Sequence, residues 1–230
     1  MHRPAHDRGH ANFGWLDSRH TFSFGAYYDP AHMGFGSLRV LNDDHVAPGA
    51  GFDTHGHRDM EIVSIVLSGG LAHKDSTGTQ AVINAGDVQR MTAGTGVLHS
   101  EFNASVTDPV HFLQIWIHPE KTGLPPGYEQ ASFADKRAPG TTLTLVSPDG
   151  RDGSVRIHQD AVFRLTDLAA GQPAPVTVVP GRRVWVQVID GTPTLNGLAL
   201  RPGDGVGLTD PGPYTATADG PATLLTLDLG

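Results

Sequence analysis

Cysteine is absent from the 230 residues of this chain. Without a thiol, the protein cannot form disulfides, bind zinc through thiolates or use a cysteine nucleophile. Charged residues make up only 17% of the chain, and 24 acidic side chains outnumber 16 lysines and arginines. The resulting net charge of −8, together with the absence of a basic cluster, argues against nucleic acid and anionic membranes as direct partners.

Long apolar runs are also missing. No segment approaches the ~20 apolar residues of a membrane helix, and the N-terminal sequence MHRPAHDRGH lacks the apolar core of a signal peptide. The nucleophile elbow G-x-S-x-G, the phosphate-binding G-x-x-x-x-G-K-[ST] and the zincin motif H-E-x-x-H do not occur. We therefore expect a cytoplasmic protein, without a membrane partner, that acts as a monomer.

Glycine and proline are abundant, with 29 and 17 residues. This composition favours short strands joined by turns over long helices. In the first half, turn signals such as P-G at 48 and A-G-D at 85 separate apolar segments. The strands predicted there are Ser37–Leu41, Glu61–Leu67, Ala81–Ile83, Val88–Met91 and Phe112–Ile117.

The second half repeats this organisation after a Pro-rich linker. The linker spans Gly123–Gly140, and we predict a short helix within it at Glu129–Lys136. Regularly spaced short strands of this kind are typical of antiparallel sandwiches. The strands predicted after the linker are Thr141–Val146, Val155–Leu165, Val176–Val179, Val184–Ile189 and Ala222–Leu229.

The two halves also share short motifs. I-V-L-S-G-G, ending at Gly70, resembles V-Q-V-I-D-G, ending at Gly191, and I-N-A-G-D-V resembles the segment that contains Gly203 and Asp204. Such internal similarity indicates two copies of one unit. We therefore predict an all-β protein with two antiparallel β-sandwich domains, over residues 1–130 and 131–230.

Two short pairs of polar residues carry the strongest chemical signal. His55 and His57 form H-G-H, and His99 and Glu101 form H-S-E. Residues at i and i+2 of a strand point to the same face, so two such strands can bring three imidazoles and one carboxylate together. That donor set binds a first-row divalent metal and leaves coordination positions open. The matched glycines place the second-half counterparts of these four residues at apolar positions, near Val176, Val178, Ala216 and Ala218, so we expect one metal per chain.

Several other side chains have two interpretations. Glu61 is either a further ligand or a solvated or hydrogen-bonded residue at the start of a strand. His73 either orients a turn or contacts the ligands from outside, and His111 shares strand parity with Leu113, which suggests a satisfied inner histidine. A last group either lines a substrate pocket or belongs to the core: Phe22, Phe24, Met33 and Phe35.

Longer motifs extend over residues 8–133. H-G-H-R-D-M-E-I, V-L-S-G-G-L-A-H-K-D-S and Q-R-M-T-A-G-T-G-V-L-H-S-E-F-N occur in order, preceded by W-L-D-S-R-H-T-F-S-F and followed by L-Q-I-W-I-H-P. This series resembles the pirin family of bicupins, and within it the bacterial pirin-like quercetin 2,3-dioxygenases. The C-terminal half resembles the family only in its general pattern.

The resemblance implies two jelly-roll domains with metal only in the first. It maps the metal ligands onto His55, His57, His99 and Glu101, and it implies an Fe(II) centre that Cu, Ni, Co, Mn or Zn can also occupy. It implies that dioxygen opens the heterocyclic ring of a flavonol such as quercetin, with release of carbon monoxide. Glu101 is then our candidate base for the 3-hydroxyl proton.

Two alternatives remain open at this stage. Pirins are also linked to transcription as redox-sensitive cofactors, so the chain could be a metal-binding regulatory protein. A metal-dependent hydrolase or isomerase on the same scaffold is the other alternative, because a fold alone does not define an activity. An enzyme should have an enclosed apolar pocket over the metal, whereas a regulator should have an exposed patch and no pocket.

Overall fold

A computed structural model describes all residues from Met1 to Gly230. The chain forms 22 β-strands and three single-turn 3₁₀ helices, and every strand pairing described below is antiparallel. This confirms the predicted all-β class. No helix is long and apolar enough to cross a membrane.

The chain divides into two compact units. One comprises Gly9–Ala134 and Val155–Gln159, and the other comprises Met1–Arg8, Asp135–Ser154 and Asp160–Gly230. Each unit is therefore built from more than one stretch of chain, and the N-terminal strand belongs to the unit that is otherwise C-terminal in sequence. The 3₁₀ helices are Ala5–Asp7, Ala134–Lys136 and Arg151–Gly153.

The first twelve strands lie in the N-terminal half of the chain. In order, they are β1 (His2–Arg3), β2 (Gly9–Asn12), β3 (Leu16–His20), β4 (Leu38–Val46), β5 (Gly51–His57), β6 (Glu61–Ser68), β7 (Gly70–Asp75), β8 (Gln80–Asn84), β9 (Asp87–Thr92), β10 (Val97–Asn103), β11 (Val110–Ile117) and β12 (Gly127–Ser132).

Strands β2–β12 form the two sheets of the first unit. The larger has the order β12-β9-β6-β11-β4-β3-β2, and the smaller has the order β5-β10-β7-β8. The alternation of side chains along each strand places apolar residues of both sheets in one core, where Val66 and Phe112 of the larger sheet pack with Leu71 and Ile83 of the smaller one. This is the sandwich that the turn-punctuated strands predicted.

The remaining ten strands follow the linker. They are β13 (Thr141–Ser147), β14 (Val155–Arg156), β15 (Ala161–Leu168), β16 (Ala174–Val178), β17 (Arg183–Asp190), β18 (Thr194–Leu195), β19 (Leu198–Ala199), β20 (Gly205–Leu208), β21 (Gly212–Thr217) and β22 (Ala222–Leu229). Within the second unit one sheet runs β1-β20-β17-β22-β15-β13 and the other β16-β21-β18-β19. Their facing residues form a core of valine, leucine and alanine side chains.

The internal repeat is visible in matching hydrogen bonds. The amide of Gly86 donates to the carbonyl of Val66 (2.9 Å), and that of Gly203 donates to the carbonyl of Val188 (3.0 Å). Both glycines have φ +86°, a conformation that L side chains rarely adopt. These pairs also correct the predicted alignment by one residue, because they place Gly69, and not Gly70, opposite Gly191.

The aspartates after these glycines repeat as well. The Asp87 carboxylate accepts a hydrogen bond from the amide of Asn84, and the Asp204 carboxylate accepts one from the amide of Arg201, both at 2.9 Å. Asp204 accepts a second bond from the amide of Ala5 (2.7 Å), which fastens the N-terminal segment to this turn.

Two elements differ from the sequence prediction. The helix predicted at Glu129–Lys136 is wrong: Gly127–Ser132 is an edge strand paired with β9, and only Ala134–Lys136 forms a helical turn. Pairing with an available sheet edge overrides local helix propensity here. The segment predicted as one strand at Val155–Leu165 is interrupted between Arg156 and Ala161.

Removal of the Asp204 carboxylate should destabilise the fold without affecting metal binding. Asp204→Ala leaves two backbone amides without their acceptor, which should lower the free energy of unfolding by about 1–3 kcal/mol. Urea unfolding measures this, with the exposed Asp219→Ala as control. Equal stability of the two variants would show that the Asp204 bonds contribute nothing.

Candidate metal centre

Strands β5 and β10 bring the three predicted histidines together. The strands are neighbours in the smaller sheet, and His55 lies directly opposite His99. The two Nε2 atoms are 3.0 Å apart, and the ring centroids of His57 lie 4.8 Å from those of both other histidines. One ring nitrogen from each histidine lies within 4.8 Å of the others. The i, i+2 spacing therefore does place these imidazoles on one face.

Hydrogen bonding orients His55 for a metal. Its Nδ1–H donates to the carbonyl of Asp53 (2.7 Å). In a neutral imidazole this leaves Nε2 as the nitrogen with a free lone pair, and that nitrogen faces His99. A backbone carbonyl that fixes the tautomer in this way is a regular feature around metal-binding histidines.

Burial keeps the imidazoles of His57 and His99 uncharged. Burial, reinforced by the neighbouring His99 and His55, lowers the pKa of His57 from 6.5 to about 4. Burial and the nearby His55 and His73 lower the pKa of His99 to about 3. Both residues are therefore neutral at pH 7, which is the form that binds metals.

Glu101 is buried, with only 1% of its surface exposed. A β-bulge after His99 shifts the register with β5, so that Glu101 pairs with Phe52. Its Oε1 accepts hydrogen bonds from Gln89 (3.0 Å) and Ser64 (3.4 Å), and its Oε2 accepts one from Gln114 (2.9 Å).

All three donors to Glu101 are neutral groups. A buried carboxylate without a cationic partner is costly, because amide dipoles offset only part of its charge. A divalent cation among three neutral imidazoles would supply the missing positive charge. The residues present therefore fit a divalent metal ion on both donor type and charge.

His73 is the functional candidate that sequence reasoning undervalued. It is buried, it lies opposite Glu101 on β7, and its ring centroid is 5.4 Å from that of His99. One of its ring nitrogens lies within 4.8 Å of ligand atoms of His99 and Glu101. Strand β7 pairs with β10 on the side opposite β5. The sequence signal for this neighbour was H-K-D, in which His73 and Asp75 stand at i and i+2 of the strand.

His73 is held by Asp75. The Nε2–H of His73 donates to Asp75 Oδ2 (3.0 Å) in a fully buried pair. Burial alone would raise the pKa of Asp75, but the hydrogen bonds from His73, Thr77 and Thr79 outweigh it and lower that pKa to about 2. The hydrogen bond to Asp75 thus holds His73 beside the proposed ligands His99 and Glu101. This agrees with the interpretation that His73 contacts the ligands from outside.

A cavity of about 540 Å³ opens onto these residues. Both histidines of β5 and Glu101 lie in its wall, and Trp116 packs edge-to-face against His57 with ring centroids 4.8 Å apart. Five further aromatic side chains line the cavity: Phe13, Trp15, Phe24, Tyr27 and Phe52. Such a largely apolar cavity beside a few polar groups is typical of a small-molecule site.

The four aromatic and apolar candidates from the sequence separate in the structure. Phe24 lines the cavity, Phe22 and Phe35 are buried in the core, and Met33 is 42% exposed. The cavity residues on β2 and β3 were missed, because alternation alone does not show which face of an edge strand borders a void.

Glu61 is a buried, hydrogen-bonded residue outside the candidate metal centre. It is completely buried, and its Oε2 accepts hydrogen bonds from the amide (3.1 Å) and the ring Nδ1 (3.3 Å) of His158. It lies outside the groups of converging metal-ligand atoms. Of its two interpretations, the hydrogen-bonded residue at a strand start agrees with the structure, whereas a solvated residue does not.

The second unit lacks the corresponding ligands. Val176 and Tyr214 are direct partners on β16 and β21, as His55 and His99 are on β5 and β10. Both side chains pack in the apolar core of that unit. The four positions that the sequence predicted as counterparts of the ligands are buried in that core: Val176, Val178, Ala216 and Ala218.

Two consecutive sandwiches, with candidate ligands in one of them, define the class of bicupins. The family described as Pirin matches residues 2–117, and the quercetinase C-terminal cupin domain matches residues 144–229. Quercetin 2,3-dioxygenase of Escherichia coli K12 is 47% identical over 227 residues, which cover 99% of this chain and 97% of that protein. The chain belongs to the pirin family.

Solved structures agree with this assignment. The bacterial pirin YhhW of Escherichia coli in complex with nickel(II) has a TM-score of 0.95 and 45% identity, covering 100% of this chain and 98% of that one. A quercetin 2,3-dioxygenase of Acinetobacter baumannii, at 23% identity, has a TM-score of 0.79 and covers 99% and 85% of the two chains. The latter likeness shows the fold alone.

The low pKa values of His57 and His99 predict unusual tolerance of acid. Three ordinary histidines would lose about 10³-fold in metal affinity at pH 5.5, because each would be protonated. Here we expect a loss of no more than about tenfold between pH 7.5 and 5.5, followed by a steep fall as the pH passes through about 4 and 3. Competition titration with Ni²⁺ and a chromophoric chelator measures the affinity.

The low pKa of His57 should also make the stability of the metal-free protein depend on pH. A histidine whose pKa is lower in the folded state than in the unfolded chain makes the unfolded chain the better proton acceptor. The free energy of unfolding should therefore decrease as the pH falls from 6.5 towards 4, and the contribution of His57 should stay constant below that pH. A His57→Gln variant should lose part of this slope. If the variant shows the same dependence of stability on pH as the wild type, the buried imidazole of His57 is not the cause of that dependence.

Proposed function

We propose that this protein is a metal-dependent dioxygenase that cleaves the heterocyclic ring of flavonols such as quercetin and releases carbon monoxide. We propose His55, His57, His99 and Glu101 as ligands of one divalent metal ion, with Fe(II) as the ion used in catalysis. The observation that carries the proposal is the aromatic-walled cavity that contains His55, His57 and Glu101 in its wall.

The cavity suits a planar aromatic substrate. Its volume of about 540 Å³ lies in the usual range for small-molecule sites. Trp116 stands edge-on to both His57 (4.8 Å) and Phe24 (5.3 Å), so its ring links the proposed metal ligands to the apolar wall. A flavonol that packs on these aromatic side chains would present its polar heterocyclic edge to the imidazoles.

Glu101 is the proposed acceptor of the substrate's 3-hydroxyl proton. Gln89 and Gln114 hold its two oxygens in place, so the carboxylate has a fixed orientation at the cavity wall. Deprotonation of the hydroxyl prepares the electron-rich ring for reaction. Because the site is buried, little water competes for this proton.

The metal ion, when bound, supplies Lewis acidity and a path for electrons between the deprotonated substrate and dioxygen. The overall reaction balances without a further reductant: both atoms of dioxygen enter the product, and two carbon–carbon bonds at the 3-carbon break as that carbon leaves as carbon monoxide. The protein's part is to bind the ring, accept the proton and keep water out.

The domain division follows from the same proposal. We propose that residues 1–130 form the metal-bearing cupin domain and residues 131–230 a cupin-like domain without ligands. The predicted counterparts of the ligands support this, because Val176, Val178, Ala216 and Ala218 are buried apolar residues without a metal-binding atom in their side chains.

The cavity also supports the enzyme over the regulatory alternative. A protein that senses iron only through a partner surface needs no enclosed volume beside the ion. The aromatic wall over His57 and Glu101 therefore favours a small-molecule reaction.

Iron-loaded protein should consume oxygen with quercetin and release carbon monoxide in equal amounts. Glu101→Gln removes the charge and most of the basicity, so the turnover rate should fall by about 10²–10⁴-fold. An oxygen electrode and carbon monoxide detection by haem spectroscopy measure the reaction. Metal content is determined alongside, because glutamine is also a poorer ligand.

His118→Ala, an exposed histidine outside the centre, is the matched control. A Glu101→Gln variant with full metal content and full rate would exclude Glu101 as the base. If the iron-loaded wild type takes up no oxygen with any flavonol, the dioxygenase proposal is wrong.

A further inference from the structure

A second group of potential ligands lies on the other face of the larger sheet. Asp43 and His45 are at i, i+2 on β4, and His111 on β11 is the direct cross-strand partner of His45. The alternate residues of β4, Asn42 and Asp44, line the cavity. Because successive side chains of a strand point to opposite faces, this group is separate from the candidate centre described above.

The three side chains are in close contact. His111 Nε2 is 2.6 Å from Asp43 Oδ1, and the rings of His111 and His45 stack with centroids 3.9 Å apart at an angle of 16°. One ligand atom from each residue lies within 4.8 Å of the others. His45 is exposed, and the side chains of His111 and Asp43 are 26% and 18% exposed, so a cation can reach all three.

An ordinary ion pair explains only part of this arrangement. The pairing of Asp43 with His111 does not explain why a second imidazole stacks on the first. Two protonated rings at this distance would repel each other. Two imidazoles and a carboxylate in mutual contact are a donor set for a divalent ion.

The neighbouring charges limit the ligand set to three. Asp17 lies across from His45 on β3, but it already pairs with His10 (2.8 Å) and with Arg19 (3.7 Å). Two imidazoles and one carboxylate suit borderline cations such as Zn²⁺, Ni²⁺, Cu²⁺ and Co²⁺, with water at the remaining positions.

We propose that Asp43, His45 and His111 form a second, surface site for a divalent transition-metal ion. A site with three partly exposed ligands and no buried carboxylate binds more weakly than the internal centre. It would therefore fill after that centre and exchange its ion with solvent. It does not depend on the proposed dioxygenase activity.

Calorimetric titration of metal-stripped protein with Zn²⁺ at pH 7.5 tests this site. Wild type should show two classes of binding. His57→Ala should lose the tighter class and keep the weaker one, whereas His45→Ala and Asp43→Asn should each weaken the weaker class by at least about tenfold, the scale expected for a disturbed metal site. The melting temperature of each variant confirms that it is folded.

The control separates this site from general binding by surface histidines. His118→Ala removes an exposed imidazole outside the group and should leave both classes unchanged. The proposal is overturned if wild type shows one class only. It is equally overturned if His45→Ala and His118→Ala give the same weaker class.

Discussion

The central position of β10 in the smaller sheet is the constraint on which the candidate centre depends. Pairing with β5 on one side aligns His99 with His55, and pairing with β7 on the other aligns Glu101 with His73. The backbone hydrogen bonds of three strands thus set the spacing of the imidazoles before any metal binds. A slip of one residue would turn His99 and Glu101 to the opposite face.

The same strand also determines the electrostatics. The inward face of β10 is buried, which keeps His99 neutral and surrounds the Glu101 carboxyl group with uncharged hydrogen-bond donors. The larger sheet supplies Gln114 to that carboxylate and Trp116 to the cavity wall from adjacent inward positions of β11. The smaller sheet therefore carries all four proposed ligands, and the larger sheet holds Glu101 in place and contributes Trp116 to the cavity wall.

The second unit shows that this scaffold does not require the polar centre. It retains the glycine–aspartate turn, with Gly203 and Asp204 making the hydrogen bonds of Gly86 and Asp87. At the positions predicted to match the four ligands it has Val176, Val178, Ala216 and Ala218, which join a continuous apolar core. The stability of the sandwich thus comes from burial of apolar side chains, while the polar cluster of the first unit is an addition to it.

Local pattern was sufficient for the properties that depend on a few neighbouring residues. The alternation and turns predicted the β class, the i, i+2 spacing placed His55 and His57 on one face, and the repeated G-D turns indicated two similar units. Local pattern did not predict contacts between strands that are distant in sequence. Gly127–Ser132 forms an edge strand, and not the predicted helix, because β9 offers backbone hydrogen-bond partners. His73 lies at the candidate centre only because of the register of β7 with β10. The sequence by itself determined which donors are available and their spacing along each strand. Only the tertiary structure decided which strands become neighbours and which face borders the cavity, because pairing partners and register result from packing of the whole chain.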